Sequence, residues 1–322
     1  MTNGMIESTA FQLLILIASL IGLASASHFT IKSVEKIVEI TGLSDASAGF
    51  IILAVLTSSP EIIVAVLSVI QGTQAVSVGD ILGSNVFNIG AVLGVLGILG
   101  YLKLCCTDIL VELTDMLSVI VAIPFLLIVS QFRILEIPSQ VIGAILLASF
   151  VISIYLIAKK RLPPVATTDK GTPISKRRKA VVISTLLFSF IVVVISAQFA
   201  VYSASNIAMA LGVPPILVGA KLVAIGTSLP EFTTAAAAVR RHRTHLAVGD
   251  IIGSCLTNLT LVLGLVLITS PFNVDLTVFI EILPFLVITT IIFWRFVMRG
   301  GISKVGGALL LLTYILFQVL VV

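Results

Sequence analysis

Two copies of Thr-Ser-X-Pro-Glu stand in this chain, Thr57-Ser58-Ser59-Pro60-Glu61 and Thr227-Ser228-Leu229-Pro230-Glu231. Each falls in the middle of a long apolar run. A carboxylate at bilayer depth costs about 2.5–3.5 kcal/mol on insertion scales, so an acidic residue there marks function by default. Proline removes a backbone donor and clashes with the preceding turn. Each motif therefore predicts an interrupted helix, with carbonyls near Ala54 and Thr57, and near Ala224 and Thr227, facing a cavity. Two carboxylates with hydroxyl and carbonyl oxygens make a hard, all-oxygen site. Ca²⁺, which takes about six to eight oxygens at 2.3–2.6 Å, suits it. With no Cys or His in either motif, a soft transition metal does not. The bland reading is a proline kink with a protonated or capping glutamate; its repetition at two matched places argues against it.

A second pair of motifs, G-S-x-x-x-N, comprises Gly83, Ser84 and Asn88, then Gly253, Ser254 and Asn258. Residues four apart share a helix face, so Ser84 and Asn88, and Ser254 and Asn258, offer neutral oxygens suited to a weakly bound cation. Small-residue helix packing is the competing account. Asp80 and Asp250 extend the same faces by one more turn. They are candidates to carry protons or to support the site from behind, and otherwise polar groups near the start of a helix at the membrane boundary.

These motifs sit in a chain of 322 residues, 58% hydrophobic and 11% charged. A soluble domain carries about 25% charged residues. Ten apolar segments are expected, near 9–40, 47–71, 76–101, 109–131, 137–158, 179–211, 214–239, 246–271, 276–297 and 303–321, each long enough for a membrane helix. The expected fold is an all-α membrane protein. The start of the chain lacks the pattern of a signal peptide, so the first run is expected to remain as a helix. Cys105, Cys106 and Cys255 show no metal-binding spacing.

The two motif pairs repeat at one offset of 170 residues, and 78–94 matches 248–264 at ten of 17 positions. The chain divides into a first repeat, 1–158, a basic linker, 159–179, and a second repeat, 180–322. Five segments per repeat is an odd number, so the second copy must enter the membrane inverted, an arrangement common in secondary transporters. Helices 2, 3, 7 and 8 are expected to be broken. The linker holds eight of nineteen basic residues; placing it in the cytoplasm puts 17 of the 19 on that side, as the positive-inside rule requires. Both termini then lie outside the cell membrane. Arg133 stands outside and Lys221 within a helix, there either snorkelling to the surface or competing with cations. The basic balance thus needs no nucleic-acid partner. The partner is the lipid bilayer, with no organic cofactor and no obligate protein partner evident.

TSSPE with GDILGSNVFN, and GTSLPE with GDIIGSCLTN, resemble the calcium/cation antiporter superfamily of the sodium/calcium exchanger type, in the right order over nearly the whole chain. The resemblance implies Ca²⁺/Na⁺ antiport by alternating access. It implies a central Ca²⁺ site of Glu61, Glu231 and the Thr57 and Thr227 carbonyls. It also implies flanking Na⁺ sites that use Ser58, Ser84, Ser228, Ser254 and the Ala54 and Ala224 carbonyls, with long first and sixth helices that slide over the core. Members often have Gly-Asn where this chain has Gly-Asp at 80 and 250. Leu56 stands where the second motif has Gly226, which is expected to stiffen one break. Asparagine at 258, where potassium-coupled members have aspartate, argues against potassium dependence.

Three other readings remain. H⁺/Ca²⁺ exchange would use the same glutamates. An intramembrane aspartyl hydrolase would need Asp80 and Asp250 to share a proton. A passive channel would need no counter-ion.

Overall fold

A computed structural model describes residues 49–72, 74–103, 107–127, 137–159, 176–210, 218–269 and 276–321, with scattered positions between 11 and 37. The regular elements among the described residues are helices, without strands. Five are long and apolar enough to cross a bilayer: Ser77–Ile98, Asp108–Leu127, Ser139–Ile157, Thr244–Thr269 and Ile280–Val297. The chain is a helical membrane protein. His28, Cys105, Cys106, Arg133 and linker residues 160–175 lie outside the described residues.

The layering follows from polarity. Ser77–Ile98 and Thr244–Thr269, which carry the Gly-Ser motifs, are 83% buried within the protein, against 28% for Ser139–Ile157. Helices with buried polar side chains form the centre, where protein can satisfy them. Helices without buried carboxylates form the outer ring, where Val151, Tyr155 and Phe188 present exposed apolar surface. That surface suits acyl chains.

The Thr-Ser-X-Pro-Glu motifs interrupt their helices as expected, but the break is slight. Ala54–Thr57 ends at Ser58, and Ser59–Gln71 begins at once with Pro60 in its first turn, where a missing N–H costs nothing. Ala224–Thr227, Ser228 and Leu229–Arg240 repeat this. Ser58 has φ −76° and ψ 6°, and Ser228 has φ −86° and ψ 6°. Leu56 in place of Gly226 therefore leaves the break geometry unchanged.

The helices of the Gly-Ser motifs are continuous, contrary to the expected breaks. Each instead widens into a π-helical stretch, Phe87–Val92 and Asn258–Val262. No proline stands in either, so nothing forces a break, and the extra residue per turn is accommodated within the helix. Two further π segments, Gly49–Leu53 and Val218–Val223, lead into the interrupted helices.

Glycine explains how the layers close. A Cβ at Gly83 would run into the backbone of Ala220, and one at Gly253 would lie 2.6 Å from the Ala54 Cβ. Each Gly-Ser motif thus packs directly on the interrupted helix of the other half of the chain. Away from the site, Gly94 and Gly97 meet Gly307, while Gly143 meets Gly264. Small residues let these backbones approach in the absence of a hydrophobic drive between helices.

The helix Lys176–Ala210 begins inside the stretch assigned to the linker and has 35 residues. At 1.5 Å per residue it is about 50 Å long, which exceeds the hydrocarbon thickness. Thr30 and Ser189 join it to the first helical stretch through a buried 2.9 Å hydrogen bond, and Gly22 faces Ser196. Those contacts run in opposite chain directions, so the two helices are antiparallel.

Candidate functional site

The two interrupted helices and the two Gly-Ser helices converge on one polar centre. Glu61, Asp80, Glu231 and Asp250 are all fully buried, as are Thr57, Ser58, Ser84, Asn88, Thr227, Ser228, Ser254 and Asn258. Glu61 and Glu231 occupy the first turns of Ser59–Gln71 and Leu229–Arg240. A helix N-terminus carries partial positive charge, which favours an acidic side chain there. The breaks thus supply a place where a buried carboxylate is tolerated.

Hydrogen bonds join these groups both within and across the halves of the chain. Ser228 donates to Glu61 at 3.4 Å. Ser58 and Ser254 are 2.9 Å apart, and Ser254 donates to Glu231 at 2.8 Å. Thr227 donates to Asp80 at 2.8 Å, and Thr57 to Asp250 at 3.1 Å. Ser84 reaches Asp80 and Thr227, both at 3.3 Å. Glu61 lies within electrostatic range of Asp80, and Glu231 within range of Glu61 and Asp250.

Several buried polar atoms at this centre and one helical turn beyond it have no hydrogen-bond partner: Glu61 Oε2, Glu231 Oε2, and both side-chain polar atoms of Asn88 and of Asn258. A buried polar group left unsatisfied costs about 1–3 kcal/mol, and more when charged. The unmet acceptors among them, one oxygen of each glutamate and the amide oxygens of the two asparagines, fit a cation. Among the described residues, no three of His, Cys, Asp and Glu gather closely enough to hold a metal ion. A cation here would draw most of its oxygens from hydroxyl, amide and carbonyl groups.

Hydrogen bonds link Thr57, Ser58, Glu61, Asp80, Ser84, Thr227, Ser228, Glu231, Asp250 and Ser254, while Asn88 and Asn258 are buried one turn beyond Ser84 and Ser254; two expectations are corrected. The carbonyls of Ala54 and Ala224 are not freed by the prolines; they accept from the N–H of Ser58 and Ser228 at 3.1 and 3.2 Å. A proline at position 60 or 230 removes the donor to residue 56 or 226, four back. Asp80 and Asp250 are not boundary groups but belong to the buried centre. Nor do they pair: each accepts from a threonine of the other half, which leaves no shared proton for a hydrolase. Lys221 reaches the end of the last helix, where its ammonium donates to the Gln318 carbonyl at 2.8 Å and also to that of Val321.

One contributor was missed. Thr234 donates to Asp250 at 2.9 Å. It stands three residues after Glu231 and so shares its helix face, a spacing that was legible but unremarked.

Fold and site together define a helical membrane protein built around a buried, acid-rich, all-oxygen centre. The chain belongs to the sodium/calcium exchanger protein family, whose model matches residues 11–159 and 181–322. Among its relatives is the sodium/calcium exchanger MaX1 of Methanosarcina acetivorans, 27% identical over 95% of this chain and 97% of the relative. The putative antiporter CaxA of Alkalimonas amylolytica is 28% identical over 98% and 99%. A solved structure of the sodium-calcium exchanger NCX_Mj, soaked with Na⁺ and Sr²⁺, shares the fold with a TM-score of 0.78. It is 24% identical and covers 96% of this chain and 98% of its own.

Proposed function

We propose that this protein exchanges Ca²⁺ for Na⁺ across the cell membrane by alternating access. In this reading the chain forms ten transmembrane helices, as two inverted repeats of five, 1–158 and 180–322. The basic linker 159–179 is cytoplasmic and both termini are outside.

The observation that carries the reading is the pair of buried glutamates. Glu61 and Glu231 come from matched places in the two repeats, and each keeps one oxygen without a partner. Ca²⁺ binds between them, with oxygens from Thr57 and Thr227. Na⁺ binds on either side, at oxygens of Ala54, Ser58, Ser254 and Asn258, and of Ala224, Ser228, Ser84 and Asn88. Because the hydroxyls crossing the centre serve both ions, occupancy by one weakens the other. An ion-free centre holds uncompensated negative charge, which disfavours its passage through the closed intermediate. That penalty is what couples the two fluxes, since only a loaded centre crosses readily.

Antiparallel packing of the first helical stretch against Lys176–Ala210 fits two inverted copies. These long helices would then move together past the core.

Proton-coupled Ca²⁺ exchange is the second reading. It is favoured by one observation: four buried carboxylates exceed the charge of a single Ca²⁺. The two are separated by Ca²⁺ uptake into proteoliposomes under an imposed Na⁺ gradient or an imposed pH gradient. The sodium reading expects uptake under the first alone. Uptake driven only by the pH gradient would replace it with the second.

A further inference from the structure

The two repeats are not equivalent at their aspartates. Asp250 has both oxygens engaged, Oδ1 by Thr57 at 3.1 Å and Oδ2 by Thr234 at 2.9 Å. Asp80 engages Oδ1 with Thr227 at 2.8 Å and Ser84 at 3.3 Å, but its Oδ2 has no hydrogen-bond partner and the residue is fully buried. The cause is one difference between the copies. At the 170-residue offset that pairs Asp80 with Asp250, Thr234 pairs with Val64. The second repeat shows that a hydroxyl fits at this position, and the first does without it.

The oxygens gathered at Asp80 have the spacing of a coordination shell. Ser84 Oγ and Thr227 Oγ1 are 3.3 Å apart, and each is 3.4 Å from the Ala224 carbonyl oxygen. Six oxygens placed about 2.4 Å from a cation in an octahedron stand about 3.4 Å from one another. Sodium and calcium are close in size, so this spacing suits either. Asp80 is the carboxylate bonded to both hydroxyls of this cluster, and one such charge suits a monovalent ion.

We propose that Asp80 is a direct ligand of a monovalent cation, held with Ser84, Thr227 and the Ala224 carbonyl, and that the corresponding place at Asp250 lacks a free charged oxygen. The inference rests on the exchange reading above. It adds a charged ligand to that reading and makes the two flanking sites unequal. The site at Asp80 binds its ion more tightly and fills first; its counterpart is left to neutral oxygens.

The test is Na⁺-driven Ca²⁺ uptake into proteoliposomes, measured across series of Na⁺ and Ca²⁺ concentrations. Asp80→Asn keeps an acceptor for Thr227 but removes the charge. Its half-saturating Na⁺ concentration is expected to rise about tenfold, equivalent to about 1.4 kcal/mol, while that for Ca²⁺ moves less than about twofold. Val64→Thr keeps every charge and supplies the missing donor to Oδ2. It should raise half-saturating Na⁺ about threefold, and it decides the matter if Asp80→Asn cannot be purified folded. Thr234→Val frees the second oxygen of Asp250 and should lower half-saturating Na⁺. Uptake by Asp80→Asn and Val64→Thr with the Na⁺ dependence of the wild type would overturn the inference and leave the exchange reading standing. Absence of Na⁺-driven uptake in the wild type would remove both.

Discussion

Thr227 of the second repeat donates to Asp80 of the first at 2.8 Å, and the corresponding pair, Thr57 and Asp250, does the same at 3.1 Å. Each bond joins the last turn before a helix break to the Gly-Ser helix of the opposite repeat. The two breaks are therefore held in place by groups outside their own repeat.

Removing those bonds should loosen the centre from both sides. A hydrogen bond to a charged group contributes about 1.5–3 kcal/mol. Thr227→Val and Thr57→Val are each expected to lose about that much stability, seen as earlier thermal unfolding in detergent. Combined, they should depart from additivity, since both threonines belong to one buried polar network. An unfolding temperature equal to the wild type in either single variant would show that the bond contributes nothing.

Glu61→Gln and Glu231→Gln keep the side-chain shape and one acceptor oxygen while removing the charge that a divalent ion needs. Ca²⁺ uptake should fall on the order of 100-fold or more in each. Ca²⁺ at about 100 times its dissociation constant should stabilise the wild type by about 2.7 kcal/mol. That protection should vanish in both variants, and a calcium-dependent thermal shift that survives in either would contradict the assignment.

Close approach at Gly83 and Gly253 makes a third prediction. The added Cβ of Gly83→Ala meets the backbone of Ala220, which cannot rotate away, whereas that of Gly253→Ala meets the Ala54 Cβ and the Phe50 ring as well as backbone. Overpacking of this kind costs about 1–3 kcal/mol. Gly83→Ala should be the worse of the two. Gly72→Ala gives the scale: nothing lies within 4 Å, and only its φ of +71° opposes a side chain, at about 1 kcal/mol. Equal unfolding temperatures for all three would refute the packing argument.

Orientation can be read chemically. A single cysteine at Thr167, in a chain freed of its three native cysteines, should react with a membrane-impermeant maleimide in intact cells only after permeabilisation. Labelling of intact cells would reverse the proposed topology.

Much of this protein is written in its linear pattern. Apolar runs interrupted by short polar connections can only be membrane helices, because lipid offers no partner for unpaired backbone groups. The duplicated Thr-Ser-X-Pro-Glu strings located both helix breaks to the residue, since proline acts on the backbone locally. Their glutamates stood out because an acidic group among such apolar neighbours needs a reason to be there.

What sequence could not decide was which groups meet across the two copies. Periodicity places Asp80 on the same helix face as Ser84, yet only packing brings Thr227 and the Ala224 carbonyl to it, from nearly 150 positions along the chain. The π-helical widening at Asn88 and Asn258 was equally hidden, because no residue type there demands it. The inequality between Asp80 and Asp250 needed both sources. Val64 opposite Thr234 is visible in the aligned repeats, but it acquires meaning only when Thr234 is found donating to an aspartate one helix away. Local chemistry is fixed by neighbours in the chain; partnership between distant oxygens is fixed by how closely glycine lets two backbones approach.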